Sequence, residues 1–193
     1  MQYLYLIRHG VTDLNEKGVY YGRIDCDLNS KGIRQSYLLK NKMSKICFDE
    51  VVSSPMKRCI QTAEIITANK ITLESKLVEI DFGLWEGLDF ETIKVQYPME
   101  WEKWCNDFKD TAPPGGESFA KMFKRVKEYV TGDLLQKNTN KIVVVAHKGC
   151  LQAIASILLC QNETLFWNFT FDHGKYSLFE INQGHCTIKK MNC

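Results

Sequence analysis

Arg8 and His9 stand side by side at the end of Tyr3-Leu-Tyr-Leu-Ile-Arg-His-Gly10. A planar guanidinium next to an imidazole is suited to gripping and attacking an anion such as a phosphate. His147 closes a second apolar run, Lys141-Ile-Val-Val-Val-Ala-His147, so it occupies the same kind of place in the chain as His9. Two histidines that each end a strand point to one shared pocket. Arg58 falls near the start of an expected helix, where unpaired backbone amides already favour an anion. A proton donor is sought in Leu77-Val-Glu-Ile-Asp-Phe-Gly-Leu-Trp-Glu-Gly87, which offers Glu79, Asp81 and Glu86. Glu79 lies between Val78 and Ile80, and partial desolvation there suits a general acid. The pattern alone does not choose among the three carboxylates.

These residues must be held by strands and helices. Tyr3–Ile7 is dense in aromatic and β-branched residues, which predicts a buried strand that Gly10 lets turn sharply. Lys141–Ala146 is continuously apolar, as expected of a central parallel strand covered on both faces. In an open parallel sheet, ligands bind at the carboxyl ends of the strands, where Arg8, His9 and His147 would sit. Residues 11–28 read as a loop over that edge. A helix is expected from Asn29 or Ser30 to Met43, and a short strand over Glu50–Ser53. Ser54-Pro55 predicts the start of another helix through Cys59, Ile60, Ala63 and Ile66, with a hydroxyl cap and a first-turn proline. Ile71–Leu73 reads as a brief strand. Residues 88–111 suggest two short helices broken near Pro98, part of a lid-like insert around 81–115. Trp101 and Trp104 within it are expected to pack. Pro113-Pro-Gly-Gly116 marks a loop, and it lacks the Gly-Lys-Ser/Thr ending of a nucleotide-binding P-loop. Phe119, Met122, Phe123, Val126, Tyr129 and Val130 form one apolar stripe of a helix over residues 117–136. A further helix follows Lys148-Gly149, and residues 176–191 read as a closing hairpin about Asn182-Gln-Gly-His185.

Composition narrows the class. A net charge of +2 over 193 residues gives no case for nucleic-acid binding. The sequence shows no signal peptide and no membrane span, so a cytoplasmic location is expected. Eight cysteines are scattered without a C-x-x-C pair, which argues against zinc and predicts reduced thiols. No repeat or linker divides the chain, so 1–193 reads as a single domain.

Taken together, Leu-Ile-Arg8-His9-Gly10-Val-Thr12, Asn15, Ser53-Ser-Pro-Met-Lys-Arg58-Cys-Ile-Gln-Thr-Ala63, Glu79 before Phe-Gly-Leu-Trp-Glu-Gly87, and Val-Ala-His147 resemble the histidine phosphatase superfamily, the phosphoglycerate mutase-like enzymes. Tyr21-Gly-Arg-Ile-Asp-Cys-Asp-Leu28, the Trp101 to Asp107 segment, Pro-Pro-Gly-Gly-Glu117 and Phe166-Trp-Asn-Phe169 are most similar to its α-ribazole phosphatase branch. The resemblance implies a three-layer α/β fold with a mostly parallel central sheet and helices on both faces. It implies that His9 is the nucleophile that becomes phosphorylated and that Glu79 is the proton donor. Arg8, Arg58 and His147 match the phosphate-binding set, Asn15 matches a further polar contact, and Tyr21 and Gly22 match positions near the substrate. A small phosphomonoester is the implied partner, with α-ribazole 5′-phosphate first and other sugar or nucleotide phosphates second. No cofactor or metal is required, because two guanidiniums and a protonated His147 can stabilise the charge of a phosphoryl group in transfer. Tyr21, Trp85 and Trp104 are expected to stack on the base of such a substrate. Lys148 departs from the family pattern, which more often has a small or amide residue there.

Overall fold

A computed structural model describes all 193 residues. Six strands form one sheet in the order β3-β2-β4-β1-β5-β6. These are β1 (Gln2–Arg8), β2 (Glu50–Ser53), β3 (Ile71–Leu73), β4 (Lys141–Ala146), β5 (Tyr176–Asn182) and β6 (His185–Lys190). The first four run parallel, and β5 and β6 close one edge as an antiparallel hairpin. The mostly parallel sheet expected from sequence is therefore present.

The helices are α1 (Asp13–Glu16), α2 (Ser30–Met43), α3 (Lys57–Ile66), α4 (Phe90–Gln96), α5 (Pro98–Asn106), α6 (Phe119–Gly132) and α7 (Lys148–Cys160). Alternation along β4 explains the layering, because successive side chains of a strand point to opposite faces. Ile142, Val144 and Ala146 pack with Leu4, Leu6 and the apolar faces of α6 and α7. Val143 and Val145 pack instead with Tyr5, Ile7, and with Leu39, Cys59 and Ala63 of α2 and α3. Both faces of β4 are thus dry, which is why its sequence shows no polar alternation.

The register places the chemistry. Arg8 of β1 pairs with Ala146 of β4, so the next residues, His9 and His147, leave the sheet side by side. The His9 N–H donates to the Ala146 carbonyl at 3.1 Å, extending the ladder by one residue.

Two local expectations are corrected. Ser54-Pro55 does not start α3, which begins at Lys57 after a bend and has no side-chain cap. The Ser54 hydroxyl bonds His147 at 2.8 Å and accepts only a long 3.5 Å bond from the Met56 amide, before the helix begins. Residues 11–28 are not wholly loop: Thr12 and Asn15 form a reciprocal capping box that opens the single turn of α1.

Candidate active site

His9 is 3% exposed. Its Nδ1 lies 2.7 Å from the Gly10 carbonyl, an acceptor only, so Nδ1 carries the proton and donates. Nε2 is left with its lone pair, the state needed for attack. The His147 ring lies edge to face at 5.2 Å from the His9 ring. Ser54 Oγ fixes His147 through Nε2 at 2.8 Å, with Cys59 Sγ at 3.5 Å from the same nitrogen. A third histidine, His173, sits 5.1 Å from His9 on its other side and is tied by Nδ1 to the His9 carbonyl at 3.0 Å.

Two guanidiniums, that of half-buried Arg8 and that of buried Arg58, face this group. Arg8 donates from one terminal nitrogen to the Phe171 carbonyl at 2.8 Å, and Arg58 donates to the carbonyls of Ile24 and Gly22 at 2.9 and 2.8 Å. The Nε–H of each is buried without a protein acceptor. Buried donors in native proteins are nearly always satisfied, so these two guanidiniums each keep a donor for an acceptor the protein does not supply.

The loop that holds Arg58 is itself held by Glu86. Its Oε1 accepts from the amides of Gly22, Arg23 and Phe82, and its Oε2 accepts from Ile24, at 2.8 to 3.1 Å. Gly22 is needed there because a Cβ would stand 1.8 Å from the Ile80 carbonyl oxygen. Tyr21 packs its ring under the Arg58 guanidinium at 4.8 Å and shares a 2.7 Å hydrogen bond with Thr12. Tyr21 and Gly22 therefore build the wall that positions Arg58. Asn15 turns its Oδ1 to the Thr12 backbone and hydroxyl, leaving its Nδ2 unbonded.

The three carboxylates have three different places. Glu86 is spent on backbone amides, and Asp81 accepts from Gly83 and pairs with Arg23 at 3.7 Å. Glu79 lines the cavity, with Oε2 accepting from the Gly149 amide at 2.9 Å and Oε1 from its neighbour Ile80 at 3.0 Å. Arg125 clamps the segment that carries it, donating to the Lys76 and Glu79 carbonyls at 2.7 and 3.3 Å. That arginine is fixed in turn by a two-point pair with Glu117, both bonds 2.8 Å. Burial alone would lower the Arg125 pKa, but the Glu117 pair outweighs it and the guanidinium stays charged.

Burial pushes His9 well below the usual imidazole range, and His147, Arg58 and Arg8 add to the shift. His147 is lowered in the same way by burial and then by Arg58 and Arg8. His173 falls to about 4, again chiefly by burial and Arg8. In the free site burial first, and then the two arginines, favour the neutral form of both histidines. An arriving dianion offsets those charges and favours proton uptake at His147.

Two strand-end histidines, two guanidiniums with free Nε–H groups and a cavity carboxyl can hold and cleave a phosphate ester. The histidine phosphatase superfamily (branch 1) model matches residues 4–193, essentially the whole chain. This chain belongs to that superfamily. Among its relatives, phosphoserine phosphatase 1 of Hydrogenobacter thermophilus is 33% identical, over 98% of this chain and 91% of that protein. The adenosylcobalamin/alpha-ribazole phosphatase of Escherichia coli is 29% identical over 98% and 95%. A solved structure of a putative alpha-ribazole-5'-P phosphatase from Escherichia coli superposes with a TM-score of 0.95, covering all of this chain and 96% of that one. Like these relatives, this histidine phosphatase is a phosphoric monoester hydrolase.

The phosphatase has a cavity of about 400 Å³ that runs outward from Glu79 and Gly149. Ile80, Phe82, Trp104, Phe108, Phe119 and Trp167 are among the apolar residues of its wall. Of the three aromatic residues expected to stack on a base, only Trp104 faces this space. Trp85 is fully buried, with Trp101 and Trp104 packed on it at 5.6 and 5.8 Å, and Tyr21 lies beneath Arg58. Lys148 joins the cavity rim. Sequence reasoning missed His173 and Arg125. His173 carries no motif, and Arg125 is hidden on an amphipathic helix among several other basic residues.

Proposed function

We propose that this phosphatase transfers the phosphoryl group to His9 and that its substrate is α-ribazole 5′-phosphate, in the assembly of the cobalamin nucleotide loop. His9 Nε2 attacks phosphorus while the ester P–O bond breaks, and Glu79 delivers its proton to the departing ribose oxygen. The phosphoimidazole keeps its Nδ1 proton on the Gly10 carbonyl. Water then attacks phosphorus and gives its proton to the Glu79 carboxylate as the P–N bond breaks. Neutral His9, protonated Glu79 and free phosphate are restored. Arg8, Arg58 and His147 hold the equatorial oxygens throughout, with the free Asn15 amide as a further donor.

The aromatic cavity beside Glu79 carries the choice of substrate. An apolar space of that size suits a benzimidazole-like base on a ribose, and it wastes its walls on a small zwitterion. Phosphoserine is the second reading, favoured by the 33% identity to a phosphoserine phosphatase. The test is phosphate release without added metal from α-ribazole 5′-phosphate, phosphoserine and common sugar phosphates, with His9→Ala as control. A kcat/KM for the ribazole ester about tenfold or more above the others is expected, the margin one good binding contact provides. A preference for phosphoserine would transfer the assignment to that ester, and activity surviving in His9→Ala would overturn the nucleophile.

A further inference from the structure

Gln152 lies one turn into α7, on the helix face that also presents Lys148 and Gly149 to the cavity. It is 4% exposed in a wall that is otherwise mainly aromatic. A buried carboxamide is costly unless both of its ends are bonded. Only one end is bonded here: Nε2 donates to the Phe169 carbonyl at 2.7 Å. That bond also fixes the orientation of the amide, because a flipped group would set two oxygens against each other. Oε1 receives no hydrogen bond from any protein donor but is not sealed from solvent, and the residue borders the cavity that begins at Glu79.

We infer that Gln152 is a specificity-determining residue whose Oε1 accepts a hydrogen bond from an O–H or N–H donor on the alcohol half of the substrate. The inference rests on the phosphomonoesterase reading and adds a polar requirement to an otherwise apolar pocket. The ribose hydroxyls of a nucleoside 5′-phosphate are donors of that kind, so the cavity reads the sugar as well as the base. A bound leaving group without a donor would displace water from Oε1 and give it no partner in exchange, and such a loss is how enzymes reject analogues that merely lack a hydroxyl.

The experiment compares kcat/KM for α-ribazole 5′-phosphate and its 2′,3′-dideoxy counterpart in the unaltered enzyme and in Gln152→Met, which keeps volume and removes the acceptor. The unaltered enzyme should prefer the hydroxylated ester at least tenfold, and the preference should fall to about one in the variant. Equal rates for the two esters in the unaltered enzyme would overturn the role of Gln152 and leave the phosphatase reading intact. That arm needs no variant, so it decides even if Gln152→Met folds poorly. Retention of the full preference in a folded Gln152→Met would also overturn it. Hydrolysis of neither ester by an enzyme active on phosphoserine would overturn this inference together with the assigned substrate.

Discussion

Gly149→Ala should separate activity from stability. A Cβ on residue 149 would stand 2.6 Å from Glu79 Oε1, whereas ordinary contact begins at 3.4 Å, so the carboxyl must retreat by 0.8 Å. The obstructing atom is the far end of a side chain, so the backbone need not move. What is lost is the 2.9 Å bond from the Gly149 amide, which fixes the carboxyl of Glu79, the proposed proton donor. A hydrogen bond to a charged group is worth about 1.5–3 kcal/mol, and a misplacement approaching 1 Å in a catalytic group costs about 100-fold. The expected loss in kcat is therefore about 10- to 100-fold, with KM held by Arg8 and Arg58. Alanine is the better helix former, by up to about 1 kcal/mol, so the melting temperature should hold or rise. Steady-state kinetics on an alkyl ester and on p-nitrophenyl phosphate give the decisive comparison. The aryl ester needs little protonation and should lose far less. An equal loss on both esters, or a kcat within about twofold of the parent, would refute the placement of Glu79 as proton donor.

His9, His147 and His173 are held below their unfolded pKa, so the unfolded chain binds more protons in that window. Stability should therefore fall as pH drops below about 6.5, by up to about 1.4 kcal/mol per pH unit for each histidine. For His173 the loss should continue down to about 4. Urea unfolding of the parent and His173→Asn between pH 5 and 7 measures it, and an identical slope in both would refute the shift at His173. Glu86→Gln should weaken the loop at Gly22 and Ile24 and raise KM for phosphate esters several-fold, since each stranded amide costs about 1–3 kcal/mol; an unchanged KM and melting temperature would count against it. Arg125→Gln removes the clamp on the Glu79 segment and leaves Glu117 without its partner. It should destabilise the fold by about 3 kcal/mol and lower kcat more than it raises KM, which unfolding and kinetics report separately.

The sequence made the sheet legible because β1 and β4 are apolar on both faces and each stops at a histidine. Local periodicity also disclosed α6 and the hairpin of β5 and β6. Ser54-Pro55 misled because a hydroxyl before a proline reads as a helix cap, whereas the tertiary structure uses that hydroxyl to hold His147. The choice among Glu79, Asp81 and Glu86 was illegible for a related reason. Their difference lies in backbone amides contributed by Gly22, Ile24 and Gly149, which are remote in sequence and have no side-chain signature. His173 and Gln152 were invisible because each is oriented by a carbonyl it meets across the fold, that of His9 and that of Phe169.

The two halves of the site are anchored in materially different ways. His9 and His147 hang from adjacent parallel strands whose ladder lies between two dry layers, so their spacing persists as long as the sheet does. Glu79 belongs to irregular chain secured by the side chains of Arg125 and Glu117 and by one amide of α7. Segments held by few side-chain bonds open at lower free energy than a central sheet. Under rising denaturant the placement of Glu79 should therefore be lost before that of His9. On the roles proposed for the two residues, the protein would over that interval still accept phosphate from an activated ester and release it slowly, so partial opening would convert a hydrolase into a transient phosphate store.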